Sequence, residues 1–458
     1  MTAPRHIAVI DIGKTNAKLA LVDLERLTEI AVVTRPNIVQ PGPPYPHYDV
    51  EGHWAFLLNA LAQFHKEHGI DAISVTTHGA CAALLDATDA LAAPILDYEH
   101  TYPAEIVAAY DALKPDFAQT GSPKLAGGLN IGAQLHWLFA NDPSLKDRTT
   151  RIVTYPQYWG HRLTGVAATD VTSIGCHTDL WNPYEGTYSD LTAKLGIRGK
   201  LAPVRRPSDI LGPILPQIAE ATGLAPGTPV CVGIHDSNAS LYPYVTSLDA
   251  PLSVVSTGTW VIAMSLSGKA VSLDPARDTL VNVNAHEQAV ASARFMGGRE
   301  FELIQQGKQV DPTKTDVSAV LDEACMLLPS VEPSSGPFQG RQMQWHGSEP
   351  KIGTGKRSAA LSFYLALMTG TCLKLVDSSG STIVEGPFAR NPEYLAMLHA
   401  VTARPVFTNA AVTGTGIGAA MLLGDKPFSP ELDRFGTTLP LERLMAYADL
   451  WSEMAKGI

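Results

Sequence analysis

The sequence predicts an α/β chain whose two halves share one plan, and three observations carry that reading. Strand-like and helix-like runs alternate from end to end, as layered α/β folds require. A strand pair joined by a small, polar, glycine-containing turn occurs near residue 13 and again near residue 258, about half a chain later. The 458 residues exceed one ordinary core, and two domains of roughly 230 residues fit them.

Taken in order, residues 6–11 (HIAVID) and 17–23 (AKLALVD) are β-type runs. The turn Gly13-Lys14-Thr15-Asn16 joins them into a hairpin. Residues 54–65 carry apolar side chains at spacings of three and four, the pattern of an amphipathic helix. Residues 72–77 (AISVTT) form a strand that breaks at His78-Gly79, and residues 230–234 (VCVGI) form a buried strand ending at His235-Asp236. Residues 252–256, the turn Thr257-Gly258-Thr259 and residues 260–266 then repeat the opening hairpin. The stretch 242–249 (YPYVTSLD) interrupts the apolar pattern, so the expected domains are 1–245 and 246–458.

Composition removes several classes of function. Lys and Arg number 34 against 45 Asp and Glu, a formal net charge of −11, which argues against a nucleic-acid or anionic-membrane surface. With 45% hydrophobic residues the chain is too apolar to be disordered. No signal peptide is expected, because only the apolar run 7–10 lies between Arg5 and Asp11. The longest uncharged helical stretch, 358–373, contains Ser, Thr and Gly and falls short of the ~20 apolar residues that span a bilayer. It reads as the buried helix of a soluble core. The five cysteines are scattered and form no CxxC, which suits reduced thiols in a cytoplasm. His65 and His68 lack further ligands nearby and read as helix surface.

Three segments carry chemistry. In the first hairpin, successive backbone N–H groups around Gly13 form a concave anion site, and Lys14, Thr15, Asn16 and Lys18 add donors suited to phosphate oxygens. Asp11, at the strand end, suits a hydrated magnesium ion. The second hairpin, Thr257-Gly258-Thr259, offers a like nest, and two facing nests would clamp a polyphosphate between two domains. Asp236 follows a buried strand, where a carboxylate can accept a hydroxyl proton, although an Asp before small residues also serves as a helix N-cap. Two glycine motifs are decoys. Residues 353–358 lack the first glycine and the final Ser/Thr of a P-loop. Residues 414–419 match GxGxxG/A but have no following βαβ unit, and read as a loop and close-packed helix start lining a nucleotide pocket.

Together these segments resemble the FGGY carbohydrate kinases. Residues 11–18 are similar to that family's opening phosphate hairpin, 154–179 to its Arg-Leu-Thr-Gly segment, and 233–240 to the motif holding its catalytic aspartate. Residues 256–259 resemble the second phosphate hairpin, 384–391 (VEGPFARN) the adenosine segment, and 416–423 the final glycine-alanine helix. The resemblance implies an α/β fold of two ribonuclease H-like (actin-type) domains with a nucleotide cleft between them. It implies transfer of the ATP γ-phosphate to a sugar hydroxyl with Mg²⁺. By position, Asp236 would be the general base and Asp11 would orient the hydrated metal. Gly13, Lys14, Thr15, Asn16 and Lys18 would meet the phosphates, with Thr257, Gly258 and Thr259 on their far side. Gly386, Pro387, Phe388 and Asn391 would border the adenosine. The candidate sugar contacts are His78, Gly79, Tyr98, Gln157, Tyr158 and His235.

Departures from the common pattern, including Gly-Lys-Thr-Asn in the first turn and His-Asp-Ser-Asn at the base, place the chain in a divergent branch nearest the rhamnulose and fuculose kinases. A ketose or deoxy-ketose is the expected substrate. The expected partner is this small sugar; a homodimer is allowed, and neither nucleic acid nor membrane is expected. The alternatives are another actin-like enzyme, such as an acid kinase or nucleotide hydrolase, or a non-catalytic sugar or nucleotide sensor.

Overall fold

Central strands with every side chain buried need cover on both faces, and both halves of this chain supply it. The computed structural model describes residues 4–267, 269–409, 414–424 and 430–457. They divide into two units: the first comprises 4–248 together with 281–289 and 414–424, the second the remainder.

In the first unit, β1 (His6–Ile12), β2 (Asn16–Asp23) and β3 (Thr28–Pro36) form an antiparallel meander. Helix α1 (Val50–His68) starts where Asp49 accepts the Gly52 N–H, and lays Leu57, Leu61 and Phe64 against the sheet. Strand β4 (Ala72–Thr77) then pairs parallel to β1. Helix α2 (Tyr155–Thr164) covers the same face as α1. Strands β5 (Ile210–Pro213), β6 (Pro229–Cys231) and β7 (Ile234–His235) complete a seven-stranded sheet of order β5-β6-β4-β1-β2-β3, with β7 also paired to β4. The expected single strand 230–234 is therefore two. Gly233 (φ 89°) breaks it, because a Cβ there would meet the Val75 carbonyl oxygen at 2.6 Å.

Helix α3 (Asp236–Ser247) continues through Pro243 and the stretch 242–247, where the apolar pattern had pointed to a domain boundary. With the helix Thr415–Met421 it covers the opposite face of the sheet, packing Ala239, Ala419 and Ala420 on Ile7 and Val9. The two helices touch so closely that a Cβ on Gly418 would lie 1.8 Å from the Ala239 carbonyl oxygen.

The second unit repeats the plan. Strands β8 (Leu252–Thr257) and β9 (Val261–Leu266) make the hairpin, followed by β10 (Thr279–Val283) and β11 (Ala289–Phe295), of which 281–283 and 289 are counted with the first unit, and by α4 (Gly297–Gln305) and α5 (Gly355–Leu375). Next come β12 (Ser381–Glu385), α6 (Pro392–Thr402), β13 (Val406–Asn409), β14 (Leu432–Arg434) and α7 (Leu441–Gly457). The sheet order is β10-β11-β9-β8-β12-β13-β14. As β1 pairs antiparallel with β2 and parallel with β4, so β8 pairs antiparallel with β9 and parallel with β12. Among the described residues α5 alone is long and apolar enough to cross a membrane, and 83% of its most apolar window is buried inside the protein. All five cysteines are buried and free.

Candidate active site

The first-unit site begins at the β1–β2 hairpin. Gly13 N–H donates to Asn16 O at 2.9 Å, and Asn37 braces the tip by donating from its side chain to Gly13 O (2.8 Å) and from its backbone to Thr15 O (2.9 Å). Thr15 and Asn16 are exposed at the tip. The register sets Asp11 opposite Lys18. Lys18 Nζ lies 3.3 Å from Asp11 Oδ2 and 3.1 Å from Glu29 Oε1, while the Thr415 hydroxyl donates to Asp11 Oδ2 at 2.7 Å. Burial raises the Asp11 carboxyl and the charge of Asp236 adds to the rise, against the pull of Lys18 and Thr415. Burial pushes Lys18 down, yet Asp11 and Glu29 outweigh it and its net shift is upward.

Asp236 is the first residue of α3; the N-cap position falls to His235, so the capping role open to Asp236 in the sequence is not taken. Asp236 Oδ1 accepts from Ser237 N–H (2.6 Å) and lies 3.1 Å from His235 Nε2. Burial alone would raise its pKa. The hydrogen bond and charge of His235 outweigh burial and hold the carboxyl below the usual range. The His235 ring is braced in turn by Ser237 Oγ, 3.1 Å from Nδ1, and by close approach to Gly79, where a Cβ would meet the ring at 2.6 Å. Cys176 also faces it: burial raises that thiol, but His177 and His235 bring it down to about 6.

His78, just past β4, sits in a cage of Tyr48, Tyr98 and Tyr155 with ring centroids 5.4, 5.1 and 4.9 Å away. Burial lowers its pKa to about 4, so the ring is neutral, and among the described residues neither ring nitrogen has a hydrogen-bond partner. Such buried polar atoms call for a partner. Lys14 turns toward this cage. Its Nζ lies 2.6 Å from Asp97 Oδ1, 3.0 Å from Glu99 Oε2 and 4.6 Å from the centre of the Tyr98 ring.

His78, Gly79, Tyr98, His235 and Asp236 are thus brought together with Asp11 and Lys14. Gln157 and Tyr158 stand apart from the cage. Gln157 is fully buried and spends its amide N–H groups on Val232 O (3.0 Å) and Gly233 O (3.3 Å), fixing α2 to the strand end. Tyr158 pairs with Arg162 (3.3 Å). Tyr155, one turn earlier, reaches the cage instead. Sequence reasoning missed Tyr48, Tyr155 and Asp97, and read Thr415 only as part of the 414–419 motif lining a nucleotide pocket. Asp97 and Glu99 flank Tyr98 in LDYEH, and a search for partners of Lys14 would have found them; nothing local marks Tyr48.

The second unit holds a cavity of about 510 Å³. Gly258 and Thr259 at the β8–β9 tip, Pro387 and Phe388 after β12, and Asn391 at the start of α6 all line it. Gly298, Phe301 and Glu302 of α4, Ser358 and Ser362 of α5, and Asp311, Arg390 and Glu393 also line it, and were not foreseen beyond the discarded motif that ends at Ser358. That motif forms the start of α5, with Thr354 as N-cap. Thr257 lies behind the wall: its hydroxyl donates to Glu385 O (2.5 Å) and accepts from Phe388 N–H (3.1 Å), locking hairpin to turn. Asn391 caps α6 by accepting from Tyr394 N–H (2.9 Å) and donates to Ser362 Oγ (2.9 Å). Gly386 adopts φ 82°, ψ −163°, and a Cβ there would lie 2.0 Å from the Thr257 carbonyl oxygen. Gly386→Ala is therefore expected to destabilise the protein by about 2 kcal/mol and to deform the cavity wall. Chemical denaturation checks the first effect, and loss of ATP-induced thermal stabilisation the second.

The donor set fits a hydrated hard cation. Asp11 and Asp236 are carboxylates close enough to disfavour each other's charge, and such an ion relieves that repulsion through one or two carboxylates.

The fold is that of the two-domain, actin-like sugar kinases. A carbohydrate kinase from Novosphingobium aromaticivorans superimposes with a TM-score of 0.91 at 35% identity, over 100% of this chain and 99% of that one. The xylulose kinase of Rhodospirillum rubrum shares the fold at 20% identity and a TM-score of 0.78, over 99% and 98% of the two chains. Residues 6–242 match the N-terminal domain of the FGGY family of carbohydrate kinases, and residues 249–431 match the carbohydrate kinase FGGY C-terminal domain. The chain belongs to the FGGY family of carbohydrate kinases. L-fuculokinase of Salmonella typhi is 26% identical over 271 residues, a match spanning 57% of this chain and 57% of that protein. The chain thus covers little more than half the length of that curated relative.

Proposed function

We propose that the protein transfers the γ-phosphate of ATP to a hydroxyl of a ketose or deoxy-ketose, with Asp236 as general base. The observation that carries this reading is His78. A neutral imidazole with one free donor and one free acceptor, caged by tyrosines, suits the adjacent hydroxyls of a sugar. Asp236, ionised well into the acid range, accepts the proton of the attacking hydroxyl, and His235 orients it. In the first unit the Gly13–Asn16 turn and Lys18 offer donors suited to phosphate oxygens; in the second, Gly258, Thr259, Pro387, Phe388 and Asn391 line a cavity suited to a nucleotide. Mg²⁺, held by Asp11, would neutralise phosphate charge. The relative named L-fuculokinase favours a keto sugar. Five buried free thiols suit a reducing cytoplasm.

A coupled ADP-release assay across ketoses, aldoses and polyols tests the reading. Release that depends on a keto sugar supports it, and equal ATP turnover without sugar points to a nucleotide hydrolase. Lys14 separates its two assignments. Because its ammonium bridges Asp97 and Glu99 beside Tyr98, Lys14→Ala is expected to raise the KM for sugar severalfold, as well as that for ATP. A rise confined to ATP would leave Lys14 on the phosphates alone.

A further inference from the structure

The strongest unassigned cluster lies beside Asp236, around the His235 ring. Cys176, His177 and His235 each present a ligand atom, and these atoms all lie within 4.8 Å of one another. Two of the three side chains, those of Cys176 and His235, are buried. His177 takes a left-handed backbone conformation (φ 40°), which lets consecutive side chains converge on one point.

The surroundings match those of metal-bound histidines. His177 Nδ1 lies 3.1 Å from Leu129 O, so its N–H is spent on a carbonyl and the Nε2 lone pair is left for a ligand bond. His235 Nε2 lies 3.1 Å from Asp236 Oδ1, so its N–H faces a carboxylate, and Nδ1, 3.1 Å from Ser237 Oγ, binds a metal by giving up that contact and any proton it carries. Carbonyl–His and carboxylate–His pairs of this kind fix ring orientation and strengthen the imidazole as a ligand. Cys176 Sγ lies 2.9 Å from Asn282 Oδ1, which marks an oxygen beside the sulfur. One sulfur and two imidazole nitrogens suit zinc and its soft neighbours and disfavour magnesium.

We propose that Cys176, His177 and His235 bind one zinc-class divalent ion at a site separate from the carboxylates assigned to Mg²⁺. The Cys176 S–H bond breaks as the S–metal bond forms, and that proton, with any on the ring nitrogens that bind, passes to solvent. Three protein ligands leave a fourth position for water or the Asn282 oxygen. Occupancy pins the His235 ring and its hydrogen bond on Asp236. If Asp236 is the base, as proposed above, zinc occupancy therefore alters the rate of sugar phosphorylation, and a chelator restores it. The binding claim itself does not depend on that assignment.

The full-length protein, stripped with chelator, is titrated with cobalt(II) as a spectroscopic probe and then with zinc. The expected result is one equivalent bound, with a thiolate-to-cobalt charge-transfer band in the near ultraviolet that zinc removes. Cys176→Ser should abolish the band, and His177→Ala, at a half-buried position, should weaken binding at least tenfold. Asp236→Asn should keep the band at saturating cobalt while losing sugar phosphorylation, which separates this site from the kinase assignment. No charge-transfer band in the unaltered protein overturns the proposal. So does an undiminished band in Cys176→Ser or, should that variant not fold, unchanged affinity in His177→Ala.

Discussion

Asp236→Ala is expected to lower sugar-dependent ADP release by about 10³-fold while leaving ATP affinity within a few-fold of the original. The carboxylate stands at the first residue of α3, where the helix dipole favours negative charge, and His235 holds one oxygen at 3.1 Å. Both effects keep it ionised, and an ionised carboxylate is what a hydroxyl must meet to lose its proton as phosphorus is attacked. Alanine removes the acceptor but touches none of the groups lining the second-unit cavity. The carboxyl lies below the usual range, so the acid limb of kcat/KM attributable to Asp236 should fall below ordinary carboxylate values. Steady-state kinetics with saturating ATP reads the loss. Turnover within tenfold of the original would remove Asp236 from the role of base.

The second large effect concerns stability. Glu300 of α4 is wholly buried, accepting from Glu332 N–H at 3.1 Å and from the Tyr364 hydroxyl at 3.0 Å. Burial raises its pKa from 4.5 to about 7, against the two hydrogen bonds. Below 4.5 the carboxyl is protonated in both folded and unfolded chains and contributes nothing to pH dependence. Between 4.5 and 7 the unfolded chain has released the proton and the folded one retains it. Stability therefore falls as pH rises, by about 3 kcal/mol in all at roughly 1.4 kcal/mol per unit. Glu300→Gln mimics the protonated acid, and the Tyr364 hydroxyl can rotate to accept from the amide. Urea unfolding at pH 5 and pH 8 should show a variant more stable than the parent at pH 8 by up to that amount, and nearly equal at pH 5. A parallel pH dependence in both proteins would contradict the account. Since Gly298 of the same helix donates to Thr259 O at 3.2 Å, the loss bears directly on the hairpin that lines the cavity.

Much of the frame was legible because it rests on local patterns. Both hairpins, the strand before His78 and the amphipathic α1 follow from residue periodicity and turn chemistry alone. The break at Gly233 was not legible, since it depends on the Val75 carbonyl of a neighbouring strand. Nor was the run of α3 through Pro243, because a proline tolerated by surrounding packing reads in sequence as a stop. Around the candidate site, the residues singled out at strand ends lie together, since chain geometry delivers them. Gln157 and Tyr158 illustrate the opposite case: adjacent polar residues on one helix look alike in sequence, and only packing decides that Tyr155 faces His78 while Gln157 serves the backbone. The meeting of Cys176 and His177 with His235 has no sequence signature, because residues distant along the chain supply the ligand atoms.

Following ³²P from [γ-³²P]ATP in the presence of a keto sugar tests the central claim most directly. The account predicts label in an acid-stable sugar phosphate ester, formed one-for-one with ADP and absent from the Asp236→Ala protein. Label recovered only as inorganic phosphate, or an undiminished yield of ester from that variant, would contradict it.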